Sequence, residues 1–492
     1  MRFLLDTNVL IPAEPTSVAD VESKTSAIVD LLRLVSQGQH TPLIHPASLQ
    51  EVLRDRDVPR RDTRALLLGK YLQVQHPPRT STRLTSVLGV PPVGSHNEID
   101  LLLLSAVEAN AVDYFVTEDE GIHRRARRVA LDDRVLSVAD AIVAIQALFP
   151  TIPQPPPLVA SVLAHQLNEA DPIFQSFRID YSGFDDWLAR CKRQQRQAWT
   201  IGGVGGTAGY AGICIVKEES TNEHGFTGKV LKICSFKIAD EFRGYRYGEL
   251  LLKTVFGYLV ENHYRGVFVE TFSKHDGLID LLADFGFADV GESAKGERIL
   301  FKSMHPAKRE EARLGPLDFN IKYGPHAISL VGARAFMVPI QPQFHQLLFP
   351  ELERQLSLGT ESHSFGNSIR KAYLCHSQIR KIAAGDAIFF YRSQDDQAVT
   401  AVGVAEQTLV SADAAEVARF VGRRTVYSFA AIERMATKPI LSLLFRFARG
   451  LPEPWKLDLL IRSGIVKRAP QSFMELQEKA VGWIATQLHV PR

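Results

Sequence analysis

Five prolines fall within ten residues at "FPTIPQPPPL" (149–158). Each removes a backbone donor and fixes φ, so neither a helix interior nor a central strand can run through the stretch. It divides the 492-residue chain and reads as a linker over 150–157. A second polar, proline-bounded stretch, "MHPAKREEARLGP" (304–316), marks another boundary. Three segments result, 1–149, 158–303 and 317–492, each of ordinary domain size, with no internal repeat of fixed period. Length alone implies about two to four domains.

Composition narrows the class. Hydrophobic residues at 45% and charged residues at 23% are ordinary for a soluble globular protein. The net charge of +2 names no partner, so any nucleic-acid surface must be local. Cys191, Cys214, Cys234 and Cys375 have no paired spacing, which argues against a zinc site and a disulfide framework. The start of the chain lacks the pattern of a signal peptide. The run "LLLLSAV" after Asp100 is far too short to span a bilayer. A cytoplasmic protein with no membrane partner is expected; its oligomeric state is not readable.

In the first segment, strand-like and helix-like stretches alternate, which implies a mostly parallel sheet with sites at the carboxyl ends of strands. "RFLLDTNVLI" reads as a strand ending near Asp6, and "VDYFVTEDEG" as one ending at Thr117, Glu118 and Asp119. "TPLIHPASLQEVLRD" passes from a strand into a helix carrying Glu51. "EIDLLLLSAVEAN" reads as a helix with Asp100 in its first turn. A buried carboxylate is costly unless it is paired or bound to a cation, so acids gathered from distant stretches suggest a shared ion. For a single acid, a helix cap or surface charge explains as much.

This constellation resembles that of the PIN-domain nucleases over most of the segment. The resemblance implies that Asp6, Glu51, Asp100 and Asp119 together hold Mg2+ or Mn2+ and serve as the catalytic acids for RNA cleavage. Glu98 is an alternative to Asp100, and Glu118 an assistant to Asp119. Hard divalent cations select carboxylate oxygen. The basic runs "HRRARR" (123–128) and "RDRDVPRRDTR" (54–64) suit phosphate contact, although a solvated helix face explains them equally.

In the middle segment "IGGVGGTAGYAG" (201–212) tempts one towards a nucleotide loop, but no helix follows it, so a turn between antiparallel strands is the better reading. The informative stretch is "LKICSFKIADEFRGYRYGELLLKTVFGYLVENH". An apolar strand over 231–238 leads through a loop into a helix from Glu249 onward. That geometry offers unpaired amides to a diphosphate. With "RGVFVETF" and "GLIDLLADFGF" after it, the stretch resembles the GNAT acetyltransferases over about 165–303. The resemblance implies acetyl-CoA as co-substrate, bound by Arg243, Gly244, Tyr245, Arg246, Tyr247 and Gly248. A backbone donor within Phe236, Lys237 and Ile238 would polarise the thioester carbonyl, and Glu270 is a candidate base. Arg246 stands where that family commonly has glycine, and Leu282 where it often has a tyrosine acid.

The third segment contains "KAYLCHSQIRKIAAGDAIFFYRSQDDQAVTAVGVAEQTL" (371–409). "GDAIFFYRS" and "AVTAVGVAE" read as strands, and their order resembles the PUA-like barrels, in particular the EVE and ASCH branches. Those families bind RNA or modified nucleobases. Phe389, Phe390 and Tyr391 alternate across a strand, so at most two can face a ligand.

The expected fold class is multidomain α/β: a PIN-like parallel α/β/α sheet, a GNAT α+β fold with a mixed sheet, and a PUA-like small β-barrel with helices. The expected function is an RNA-directed enzyme with nuclease and acetyltransferase modules. RNA is the expected partner, and the acceptor is an RNA-linked amine: an aminoacyl-tRNA, a base amine or a ribosomal protein. A ligand-sensing protein without turnover and a toxin-like or defence effector are the rival readings.

Overall fold

The computed structural model describes residues 1–13, 24–38, 40–54, 56–149, 159–202, 209–219, 224–239, 242, 246–307, 309–352 and 368–490. The proline-rich linker and the glycine-rich stretch 203–208 lie outside the described residues. The chain folds as two compact units, one of Met1–Thr151 with Ser411–Pro439, the other of Ile152–Val410 with Ile440–Arg492.

The first unit is built on a five-stranded sheet of β1 (Arg2–Leu5), β2 (Thr41–Ile44), β3 (Leu72–Gln73), β4 (Tyr114–Val116) and β5 (Val135–Leu136), in the order β3-β2-β1-β4-β5. Every pairing is parallel. Apolar side chains fill both faces: Phe3 and Leu5 pack in one cluster, Leu4 and Phe115 in another. Short apolar strands buried on both sides are what a covered parallel sheet requires. The carboxyl ends of β1 and β4 lie side by side, with Leu5 opposite Val116.

The second unit holds two sheets. The first contains β6 (Val159–Leu163), β7 (Gln197–Gly202), β8 (Tyr210–Glu219), β9 (Val230–Ile238), β10 (Gly266–Thr271), β11 (Ala288–Glu292) and β12 (Arg298–Ser303), ordered β11-β12-β10-β9-β8-β7-β6. Only β9 and β10 pair in parallel. The Tyr247–Glu261 and Asp276–Asp284 helices share one hydrophobic cluster with this sheet. The Phe184–Arg193 helix covers the opposite face at Ala198, Ile213 and Ile215. The other sheet contains β13 (Ala335–Ile340), β14 (Arg370–Cys375), β15 (Ala387–Arg392), β16 (Ala398–Ser411), β17 (Ile440–Lys456) and β18 (Met474–Glu475), ordered β14-β17-β16-β15-β13-β18.

Two boundaries differ from expectation. The polar stretch 304–316 leads into structure rather than a free linker: the buried Lys302 Nζ donates to Ile321 O (3.0 Å) and Lys322 O (2.8 Å) at the end of the Pro316–Tyr323 helix. The third segment is also not self-contained. Between β16 and β17 the chain makes an excursion, Ser411–Pro439, that belongs to the first unit. There Arg419 Nη1 donates to Asp113 Oδ1 (2.7 Å), Arg424 Nη2 to Asp133 Oδ1 (3.0 Å), and Phe429 packs on Phe149.

Asp113 is buried and also accepts the Arg2 N–H at 2.7 Å. Removing one member of a buried pair strands the other charge. Arg419→Ala should therefore destabilise the first unit by about 3 kcal/mol, read as an earlier denaturant transition for that unit while the second unit's transition stays in place.

Candidate active site

At the carboxyl end of β1, Asp6 is only 6% exposed. Its Oδ1 accepts the Thr7 N–H (2.7 Å) and its Oδ2 accepts the Thr117 hydroxyl (2.6 Å). Asn8 Nδ2 donates to Thr117 Oγ1 (3.1 Å), and Asn8 Oδ1 accepts the Glu118 N–H (3.2 Å). The ends of β1 and β4 are thus laced together by Asp6, Asn8 and Thr117, two of them from the "DTN" motif. Asp119 caps the Glu120–Arg128 helix, its Oδ1 accepting the Ile122 N–H at 2.9 Å.

The four acids feel one another. Burial, foremost, pushes Asp6 up to about 6; the charges of Asp100 and Glu51 add to that, against the hydrogen bonds from Thr117 and Thr7. Burial also pushes Asp100 up, with Asp119 and Glu51 adding to it and Arg125 opposing. Their side chains nonetheless turn to separate partners, Asp100 to Arg125 and Glu51 to the His96 ring. Among the described residues no group of three or more His, Cys, Asp or Glu is arranged to hold a metal ion. The donor set suits a hard cation in chemistry, being all carboxylate around one buried and raised acid, but as placed it does not close round a point. Of the alternates, Glu98 accepts the Gly94 N–H, and Glu118 is committed to Lys24 and to the Val138 N–H. The helix starts at His96 with Ser95 as its cap, so the acid in its first turn is Glu98 and Asp100 lies further in.

In the second unit, β9 and β10 pair from Val230–Gly266 to Ile233–Val269 and no further. From there β9 continues to Ile238 against β8 alone, after a bulge beside Ile215 and Val216. Ala239 N–H donates to Ala211 O (3.0 Å) on the β8 side. Antiparallel alternation then aims the N–H groups of Phe236 and Ile238 away from β8, into the gap left by β10. Lys237 points its N–H the other way. A gap between parting strands, edged by N–H groups that no neighbouring strand receives, can hold a carbonyl oxygen.

The Tyr247–Glu261 helix begins beside this gap. Tyr247 is buried and stacks on Phe242, and a Cβ on Gly248 would lie 3.0 Å from Leu281 and 3.9 Å from Phe236. Gly248 therefore lets the helix approach both its neighbours. Arg246 sits just before the helix at φ +58°, in the left-handed region where glycine is favoured. Its Nε donates to Glu249 Oε1 at 2.8 Å. Arg243, Gly244 and Tyr245 lie outside the described residues.

Glu270 is engaged twice, with Lys232 Nζ and His224 Nε2 each at 2.7 Å. Burial alone would raise its carboxyl, but those hydrogen bonds and charges outweigh it and hold Glu270 below the usual range. A carboxylate so held is a poor proton acceptor. Leu282 is fully buried in the core, so that position supplies no acid.

The last sheet borders a cavity of about 590 Å3, lined by Gln341, Tyr373, Cys375, Tyr391, Ser393 and Phe473 among others. Tyr373 and Phe473 lie parallel, 6.1 Å between ring centres, and the Tyr373 hydroxyl donates to Pro339 O (3.1 Å). Among the described residues the Tyr391 hydroxyl has no hydrogen-bond partner, and the residue is 1% exposed. Of the three consecutive aromatics, Phe389 packs on Trp455 and Phe390 on Phe445, and Tyr391 alone borders the cavity. Sequence reasoning missed Tyr373 and Phe473, whose strand and loop lie about a hundred positions apart.

Residues 164–287 match the acetyltransferase (GNAT) family model. This segment, containing the parting strands and the Tyr247–Glu261 helix, is a GNAT acetyltransferase domain. No curated protein matches the chain. Among solved structures, ASCH from Zymomonas mobilis is similar at 15% identity, over 31% of this chain and 94% of its own, with a TM-score of 0.24. A GNAT family acetyltransferase from Elizabethkingia anophelis with acetyl-CoA bound is similar at 12% identity, over 30% and 97%, TM-score 0.22. Ard1 from Thermoplasma volcanium is similar at 14% identity, over 30% and 99%, TM-score 0.24. Among the described residues no helix is long and apolar enough to cross a membrane.

Because the carboxyl of Asp6 is raised by folding, the folded state binds more protons than the unfolded one between about pH 4 and 6. Its ionisation therefore lowers stability as pH rises through that window. Asp6→Asn should stabilise the first unit by up to about 3 kcal/mol at pH 8 and leave it unchanged near pH 4, as measured by denaturant unfolding at the two pH values.

Proposed function

We propose that the chain is an acetyl-CoA-dependent N-acyltransferase acting on an RNA-linked amine. The observation that carries the reaction class is the parting of β9 and β10 inside the segment that matches the family model. The N–H groups of Phe236 and Ile238 edge that gap and would hold the thioester carbonyl oxygen, stabilising the charge that grows on it as the amine attacks. The ammonium first loses a proton to solvent. As the free amine attacks, the C–N bond forms and the C–S bond breaks; CoA leaves as thiolate, and the second proton shed by the acylated nitrogen passes to the thiolate or to solvent. Neither Glu270 nor residue 282 is suited to carry that proton, so the rate should depend on the fraction of free amine. Gly248, and the helix start it lets approach, would receive the diphosphate.

The RNA part of the reading has two supports. The cavity beside Tyr373, Tyr391 and Phe473 combines stacked aromatics, neutral amides and an unpartnered hydroxyl, which suits a planar heteroaromatic such as a base. The parallel sheet of the first unit brings Asp6, Glu51, Asp100 and Asp119 into one electrostatic field. That favours a second activity, a PIN-type ribonuclease in which those acids would hold Mg2+ or Mn2+. When bound, such an ion supplies activated water and charge neutralisation at phosphorus. In that reading Thr117 and Asn8 fix the Asp6 carboxylate.

The test is free-thiol release from acetyl-CoA with aminoacyl-tRNA and small amines as acceptors. Turnover should be present in the wild-type chain and fall by about tenfold or more in Gly248→Leu, whose added atoms meet Leu281 and Phe236. Binding of acetyl-CoA without thiol release from any acceptor would favour a sensor instead. For the second activity, Asp119→Asn should abolish Mg2+-dependent RNA cleavage while leaving acetyl-CoA binding intact.

A further inference from the structure

One short stretch of chain reaches both candidate regions of the second unit. Ile369, immediately before β14, is fully buried in the hydrophobic cluster around the Tyr247–Glu261 helix. Its N–H donates to Glu249 Oε2 at 2.9 Å. At the other end of the same strand, Tyr373 and Cys375 line the cavity. Antiparallel pairing with β17, from Arg370–Arg446 to Cys375–Leu441, keeps the strand rigid between its ends.

Glu249 stands in the first turn of the helix and is buried. One oxygen holds Arg246, the other Ile369, and Arg370 adds its field. A buried carboxylate keeps its charge only while such partners remain. An arriving diphosphate is the stronger anion for a guanidinium beside a helix N-terminus. We infer that the cavity and the acyl-CoA site are positively coupled through β14 and Glu249, each ligand strengthening the binding of the other.

Two arrangements of the same residues make up the switch. Without acyl-CoA, Arg246 neutralises Glu249. With a diphosphate at the helix start, Arg246 turns to the phosphates, and Glu249 depends on the Ile369 N–H and on the charges of Arg370, Lys371 and Arg446. The second arrangement is stable only while the start of β14 stays docked, and a ligand packed on Tyr373 and Cys375 holds it there. Coupling of this kind is reciprocal by necessity. The inference rests on the acyltransferase reading.

Hydrogen–deuterium exchange on the full chain, with acetyl-CoA as the probe, tests it. Saturating acetyl-CoA should slow exchange in the first turns of the Tyr247–Glu261 helix and also, by about fivefold or more, over Ile369–Ser377. In Glu249→Gln the helix should still respond and Ile369–Ser377 should not. Protection confined to the helix in the wild-type chain overturns the coupling. No protection in either region overturns the acyl-CoA reading, and the coupling with it. As a second variant, Tyr373→Phe keeps the ring on Phe473 and removes only the bond to Pro339 O. It should raise the acetyl-CoA Kd by about threefold or more, and an unchanged Kd again overturns the coupling.

Discussion

Beyond Ile233 and Val269 the parallel pairing of β9 with β10 ends, while β9 runs on to Ile238 against β8. A bulge in the β8–β9 ladder lies where the two strands part, and bulges bend and twist the strand that carries them. The N–H groups of Phe236 and Ile238 then face away from β8, where β10 no longer pairs with β9. Gly248 matters for the same reason: a larger residue would push the helix away from Phe236 and Leu281 and open the gap from one side.

The first unit poses the opposite problem, too much negative charge at one place. Asp6 has two strong hydrogen bonds and still lies well above the usual carboxylate range, because burial and the charges of Asp100 and Glu51 outweigh them. Arg125 and His96 answer part of that field by pairing with Asp100 and Glu51. Any added cation has to compete with these two side chains for the same oxygens. A divalent ion would have to gather several of the carboxylates at once to displace Arg125 from Asp100 and the His96 ring from Glu51.

Local order was legible wherever it depended on local pattern. Apolar runs closed by acids marked β1 and β4. The glycine-rich stretch is followed by no helix: β8, which comes after it, pairs antiparallel with β7 before it. What stayed hidden is held by partners remote in sequence. Arg424 meets Asp133 across 291 positions, and nothing near Arg424 announces an acid. The excursion 411–439 therefore reads as part of the third segment although it belongs to the first unit. The bond from Ile369 to Glu249 spans 120 positions and was equally unreadable. Glu270 differs: its place on a strand was legible, but its bonds to Lys232 and His224, which help hold its carboxyl below the usual range, were not.

The arginine at position 246 shows how such hidden contacts explain a local oddity. A left-handed arginine carries roughly 1 kcal/mol or more of backbone strain that glycine would avoid. Glycine there, however, would leave Glu249 buried with the Ile369 N–H as a donor and only the more distant charges of Arg370, Lys371 and Arg446 around it. Alanine in place of Glu249 would in turn release Arg246 and leave the Ile369 amide without its acceptor in an apolar cluster, a loss of about 1–3 kcal/mol. Neither residue can be changed alone without stranding the other. The strain at Arg246 thus belongs to the tie that joins the helix start to β14. A free-standing module with the same sheet but no strand to bind at that point has no use for the acid, and glycine then becomes the better residue.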